Sequence, residues 1–382
     1  VNDPLLTRFF RYLTFDCQTK SRRQTSPSNA GQRALAVSLE AELHSLGMAE
    51  ITLNDDGVLS AVLPATGENK PTMGWLVNLA TSSELSTKGV TPEIIPCYRG
   101  GDIALGDGKR YISPVQFPFL HQLHEHTLII GDGKHGLGAE SKAAIALVMT
   151  ALAHLQTQTE RHCHLRVAFV PDNAAQLSAT FFNQFYCDVL YSVQAEGIGR
   201  LAVENMNTQN LALQLTGNDD GNVLEYGCVL QHHFSTHIPH GLTLLELQGN
   251  TQQVKMRYRL SAQDKTALNT IKSAVHRAVE HTRSAGLNVI ATFSHEIDNM
   301  AACVQQAPLA IELVKSAVSQ VGVAFAPHCM YTTPIGAYLS RFDIACPSLS
   351  IGGFNFGTVN EIMSLQGMQT SVQILVKLVT QA

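Results

Sequence analysis

LRVAFVPDNAA, Leu165–Ala175, is the stretch whose reading decides the fold. An unbroken run of Leu, Val, Ala, Phe and Val suits a central strand buried on both faces, as in a parallel sheet. Pro171 has no N–H to donate and stops the ladder. Asp172-Asn173-Ala174-Ala175 then leaves the C-terminal end of that strand, where open α/β sheets collect their chemistry. A hydrolase built this way is expected to place several carboxylates there. This chain supplies an Asp, an amide and methyl groups.

Outward from that strand, the pattern alternates strand and helix. Met73–Leu79 (MGWLVNL) predicts another buried strand, running into Ala80-Thr81-Ser82. Ser141 is a cap for a helix with Ile145, Val148, Met149, Leu152 and Leu155 on one side. A helix over Ala174–Phe185 and a strand over Val189–Val193 follow. Upstream, Pro4–Leu13 has helical spacing. A second helix is capped by Ser28 or Asn29, striped by Leu35, Leu39, Leu43 and Leu46, and stopped at Gly47. Short strands are expected at Glu50–Leu53 and Val58–Leu63. Glu84–Gln122 is rich in Gly and Pro and reads as a surface excursion.

Beyond Asn207 the period changes. Leu211–Leu215, Thr243–Gln248 and Val254–Leu260 alternate apolar and polar residues, as half-exposed antiparallel strands do. A helix over Asp264–Ala285 and a strand over Leu287–Phe293 complete what reads as an inserted α+β domain. After Pro308, a helix at Leu309–Val321, a strand at Pro347–Ile351 and a helix at Asn360–Thr380 return to the α/β layer. The expected organisation is an α/β domain over residues 1–206 and 308–382, with an α+β lid over 207–307.

A chain of 382 residues is long for a single core. With 45% hydrophobic and 15% charged residues it is globular rather than disordered. The formal charge of −5 argues against a nucleic-acid-binding surface. No apolar run approaches the roughly 18 residues that span a bilayer. VNDPLLTRFFRYL lacks the basic-then-apolar order of a secretory signal, so a cytoplasmic location is expected. The eight cysteines stand singly with no CxxC, which fits reduced thiols better than disulfides or structural zinc.

Several further blocks stand out: YRGGDIALG (Tyr98–Gly106), SPVQFPFLHQL (Ser113–Leu123), LGAESKAAIALVMTAL (Leu137–Leu152), VEN (Val203–Asn205) and GGFNFG (Gly352–Gly357). In these, in order and nearly end to end, the chain resembles the peptidase T family. Those are tripeptide aminopeptidases of the two-zinc aminopeptidase and deacylase superfamily. The resemblance implies an α/β/α catalytic-type domain with an inserted lid, a two-zinc site and a Glu general base.

Position by position, the implied site departs from the family. The first zinc His lies in His-Val-Asp-Thr-Ser, matched here by Asn78-Leu79-Ala80-Thr81-Ser82. Asn78 stands for the ligand and Ala80 for the Asp that orients it. The bridging Asp of Gly-Ala-Asp-Asp-Lys corresponds to Glu140 in Gly138-Ala139-Glu140-Ser141-Lys142. Of the family's Pro-Asp-Glu-Glu, Asn173 takes the general base's place and Ala174 that of a zinc ligand. Gln194 replaces the next zinc Asp, and Gly357 the last zinc His. The Arg that grips the peptide carboxylate aligns with Tyr331. The lid's His-Pro-Gly aligns near Gly221-Asn222-Val223, and the lid reads as shortened between Gly227 and Gly241, where the family carries a helix. Glu140 alone keeps a ligating carboxylate, and a catalytic zinc usually needs three protein ligands.

The exchange is physically coherent, because carboxylates crowded without a cation repel one another and resist burial. Glu140 reads either as a relic ligand or as a surface or Lys142-paired carboxylate. Asn78, Asn173 and Gln194 read either as lining for a polar pocket or as solvated remnants. His121, His124 and His126, the His162/His164 pair, and His232, His233, His237 and His240 in the lid loop lack metal-site spacing and read as exposed polar residues. Thr81-Ser82 is no nucleophile elbow, since the sequence around it is not GxSxG. The expectation is a peptidase-T-like pseudoenzyme with no zinc, serving in binding, regulation or assembly. Its partner would be a small peptide or polar ligand in the relic cleft, or a second copy of the chain, and neither nucleic acid nor membrane. The alternative is a hydrolase with a rearranged or single-metal site.

Overall fold

The structure, a computed structural model, describes residues 3–20, 25–66, 71–158, 160–172, 181, 185–217, 222–238, 240–284 and 286–382. The chain divides into two compact units. The first comprises Val1–Val203, Cys303–His328 and Pro334–Ala382, and the second Glu204–Ala302 and Cys329–Thr333.

In the first unit the chain opens with α1 (Pro4–Leu13) and α2 (Ala30–Ser45), then β1 (Ala49–Leu53), β2 (Leu59–Leu63) and β3 (Met73–Asn78). Asp3 caps α1 by accepting from the Leu5 N–H, and Asn29 caps α2 by accepting from Gly31. Three short strands follow, β4 (Glu93–Ile95), β5 (Ile103–Leu105) and β6 (Arg110–Ile112), then β7 (Leu128–Ile130) and α3 (Ala139–Thr157). Next come β8 (Leu165–Val170), β9 (Val189–Ala195) and β10 (Arg200–Asn205).

The second unit holds β11 (Asn207–Thr216), α4 (Val223–His237), β12 (Leu242–Gly249), β13 (Gln253–Ala262), α5 (Lys265–Ser284) and β14 (Asn288–Ile297). The chain then continues through α6 (Ala301–Val304), α7 (Pro308–Gln320), β15 (Ala326–Met330), α8 (Ile335–Leu339) and β16 (Ser348–Ser350). It ends with β17 (Gly353–Phe354), β18 (Ile362–Ser364) and α9 (Leu365–Gln381).

The large sheet runs β1-β2-β8-β3-β9-β16-β10-β15. Its middle, β8-β3-β9-β16, is parallel. The deciding strand β8 is parallel to β3 on one side and antiparallel to β2 on the other, so the parallel expectation holds on one flank only. Both faces are nevertheless covered. Val167 and Phe169 of β8, with Trp75 and Val77 of β3, pack in the core that includes α1, α2, α3, α7 and α9. Ala168, Val170 and Leu76 face the opposite way, against Ile335 and Leu339 of α8. This alternation places successive side chains in two cores, the requirement for a continuously apolar strand.

Three sequence expectations need correcting in this unit. The Glu84–Gln122 excursion is not wholly surface: Tyr98, Ile103, Leu105, Ile112 and Leu120 bury together with Leu128 and Ile130 in a core of their own. Helix α3 begins at Ala139 behind Gly138 rather than at a Ser141 cap. The last helix starts at Leu365, because Ile362–Ser364 pairs with β7 as a strand first. The helix expected over Ala174–Phe185 lies mostly outside the described residues.

The second unit is an antiparallel sheet of order β12-β13-β11-β14, carrying α4 and α5 over a core of Leu211, Leu213, Phe234, Met256, Tyr258 and Val275 among others. Here the shortened-lid expectation fails. Val223–His237 is helical, capped by Asn222, so His232, His233 and His237 sit on a helix rather than in a loop.

Candidate functional site

The C-terminal end of β3, the N-terminus of α3 and the loop after β17 meet around a small cleft. It is lined by Ala80, Thr81, Gly138, Glu140, Ser141, Gly357 and Glu361, among others. This is the carboxyl end of the parallel strands, where α/β sheets bind ligands. Gly138 makes the close approach possible. It caps α3 in the left-handed region at φ 67°, and a Cβ there would stand 2.9 Å from Thr87 Cγ2 and 3.0 Å from Thr81 Cγ2.

Glu140 lies in the first turn of α3, where the helix dipole favours a negative charge. Burial outweighs that help, and Glu361 and Glu196 add repulsion, so the Glu140 carboxyl is pushed up to about 8. Glu361 is only 3% exposed, accepts from the Gly357 N–H at 2.8 Å and the Ala139 N–H at 3.3 Å, and is still pushed up to about 7 by burial. Glu196 accepts from the Phe356 N–H at 3.0 Å and is also raised by burial. The hydroxyls of Thr81 and Ser141, 6% and 2% exposed, line the same cleft and lack a hydrogen-bond partner among the described residues.

The structure brings Ala80, Glu140 and Gly357 into this one cleft. Asn78, at the end of β3, spends its Oδ1 on the Ala80 N–H at 2.9 Å, an Asx-type turn. Gln194 is buried in β9, with Nε2 3.5 Å from Ser192 Oγ. Tyr331 belongs to the second unit and is 82% exposed. Asn173, Ala174 and Gly221 lie outside the described residues. Glu140 is neither a surface carboxylate nor Lys142's partner: the Lys142 amine points instead to Cys17 Sγ. Among the described residues no group of three or more His, Cys, Asp or Glu is placed to hold a metal ion.

Sequence reasoning missed Glu361 and Glu196. Their signal was modest: isolated acids at the edges of apolar strands, in Asn360-Glu361-Ile362 and Ala195-Glu196-Gly197. Asp172, the acid retained after β8, proves structural. It accepts from the Ser28 N–H at 2.9 Å and from the Ser28 hydroxyl, while its own N–H donates to Gln32 Oε1 at 2.9 Å. It pins the strand exit to the start of α2.

The fold defines a class, that of chains with an α/β unit and a separate α+β unit. Solved structures sharing the fold include an aminopeptidase PepT from Bacillus cereus, with a TM-score of 0.72, 15% identity, and 99% of this chain and 98% of that one covered. A tripeptidase from Staphylococcus aureus aligns with a TM-score of 0.74 at 13% identity, covering 99% and 97%. A dinuclear metal-binding peptidase of the M20 family from Bacillus subtilis aligns at 0.59 and 11%, covering 99% and 97%. No family model matches the sequence. Peptidase T of Pasteurella multocida, however, is 33% identical over 398 residues, covering 98% of this chain and 97% of the relative. Peptidase T of Haemophilus influenzae is 35% identical over 397 residues, covering 98% and 96%. This chain belongs to the peptidase T family.

Proposed function

We propose that this member of the peptidase T family has lost peptide hydrolysis and binds a small peptide or polar ligand in its cleft, in a regulatory or assembly role. The observation that carries this reading is the cleft's donor set. Ala80 and Gly357 bring no donor to it, and its acids are Glu140 and a Glu361 already engaged by backbone N–H groups. Zinc requires imidazole, thiolate or several convergent carboxylates, and these residues do not fit a pair of zinc ions. Nor does Asn173, at the position matched to the base, have a side chain that accepts a proton from water at neutral pH. The unpartnered Thr81 and Ser141 hydroxyls suit a polar ligand. Among the described residues no helix is long and apolar enough to cross a membrane, and the cysteines are free.

Metal analysis of chelator-free protein alongside a tripeptide-release assay tests the reading. Substoichiometric zinc and no release are expected. Two zinc ions per chain, with turnover abolished by Glu140→Ala, would overturn it. A second reading, a hydrolase using a single metal ion, gains support from Glu361 and Glu140 lining the same cleft. Turnover restored by one added divalent ion and lost in Glu361→Gln would favour it.

A further inference from the structure

We propose that Cys17 and Lys142 form a redox modification site, in which oxidation joins Sγ to Nζ through a single oxygen atom. Cys17 follows α1 and is fully buried; Lys142, in the first turns of α3, is 1% exposed. Their Nζ and Sγ atoms stand 2.7 Å apart. That is the short end of an N–H···O bond, and sulfur is larger than oxygen, so the pair is closer than an ordinary N–H···S contact requires. The spacing matches two atoms bonded to one shared oxygen. Among the described residues Nζ donates to no carboxylate, which is unusual for a buried lysine.

The surroundings hold the pair in place and connect it to the cleft. The Cys17 carbonyl accepts from the Thr81 N–H at 3.0 Å and from Gln32 Nε2 at 3.3 Å, and the Thr19 N–H donates to the Thr81 carbonyl at 3.0 Å. Thr81 lines the cleft, as do Glu140 and Ser141, just ahead of Lys142 on α3. A covalent link would therefore fasten two walls of the cleft together, and its reduction would leave them joined by a hydrogen bond alone.

The co-reactant is a hydroperoxide. One equivalent converts the thiol to a sulfenic acid and releases water. A second equivalent removes one hydrogen from that S–OH and one from the amine as the O–N bond forms, releasing two further waters when the oxidant is hydrogen peroxide. Sulfur and nitrogen each give up two electrons, matching the two peroxide bonds reduced. Relative to thiol plus amine, the product Cys–S–O–NH–Lys gains one oxygen and loses two hydrogens. Excess dithiol returns thiol and amine, with the bridging oxygen leaving as water.

Peptide mapping of the full-length protein tests the proposal. The protein is treated with hydrogen peroxide, alkylated under denaturing conditions and digested, with and without dithiothreitol. The expected result is loss of alkylation at Cys17, a linked Cys17–Lys142 peptide of the stated composition, and recovery of both free peptides after reduction. The bridge is overturned if Cys17 stays alkylatable while the exposed Cys228 oxidises. It is equally overturned if Cys17 carries only sulfenic or sulfinic acid, or links to another residue. The Lys142→Arg variant should lose the linked peptide; because the unsubstituted protein decides the matter, misfolding of the variant would not rescue a negative map. Oxidation should also raise the melting temperature by several degrees, reversibly.

Discussion

The carboxyl groups of Glu140 and Glu361 are held up to about 8 and about 7, in each case chiefly because burial strips the water that would stabilise an anion. Both groups sit near 4.3 in the unfolded chain, so between about pH 5 and 8 the folded state binds more protons than the unfolded one. Stability should therefore fall as pH rises through that window. Glu140→Gln should flatten the fall and stabilise the protein at pH 8 by several kcal/mol, at roughly 1.4 kcal/mol per unit of the shift, read by urea denaturation across pH. A pH-independent midpoint in the unsubstituted protein would contradict the assignment. Asp172 is the opposite case. Asp172→Ala would leave the buried Ser28 N–H and hydroxyl without their acceptor, at a cost of about 2–3 kcal/mol, whereas Asp172→Asn keeps an acceptor and should cost less. The end of β8 at Pro171-Asp172 was legible in the sequence, since Pro171 cannot extend the ladder. That its acid serves α2 was not, because the partner Ser28 is remote in sequence and nothing local marks it.

At the scale of elements, the sequence was most readable where one face is apolar and the cap is local. Pro4–Leu13 emerges with its expected limits, since Asp3, Pro4 and the Leu5/Leu6/Phe9 spacing act within one turn of each other. Helix α4 was hidden. Its buried positions Val223, Gly227, Leu230 and Phe234 do keep helical spacing, but a glycine stands among them and histidines crowd the end, so the stretch imitates a polar loop. What makes it a helix is tertiary. Phe234 is 1% exposed and meets Tyr258 edge-on at 5.3 Å, and Gly227 lets Val254 of β13 approach to within 3.0 Å of where a Cβ would stand. Phe234→Ala should cost about 3–4 kcal/mol and loosen α4, seen as faster amide exchange along Val223–His237. Unchanged exchange would mean that the helix stands on its own propensity. The same logic hid Glu361 and Glu196: an acid's burial depends on which distant elements close over it, and a single strand does not carry that information.

For the molecule as a whole, the question is whether the fold still delivers side chains to metal-binding positions. The sheet end, the α3 N-terminus and the post-β17 loop still converge, bringing Ala80, Glu140 and Gly357 to one cleft. If the scaffold is conserved and only donors are gone, restoring the family's residues should restore zinc binding. The substitutions are Asn78→His, Ala80→Asp, Glu140→Asp, Asn173→Glu, Ala174→Glu, Gln194→Asp and Gly357→His. Gly357 is the demanding position. Among the described residues, its chain neighbours aside, no atom lies within 4 Å of a Cβ built there, so a side chain has room, but φ is +76°. A histidine in that left-handed conformation costs about 1 kcal/mol, which histidine tolerates better than most residues and which zinc ligation readily exceeds. The restored protein should take up zinc after chelation and show a zinc-dependent rise in melting temperature, and withholding Gly357→His should weaken both. No zinc uptake by the fully restored chain would show that the backbone around the cleft has itself departed from the geometry a two-metal site needs.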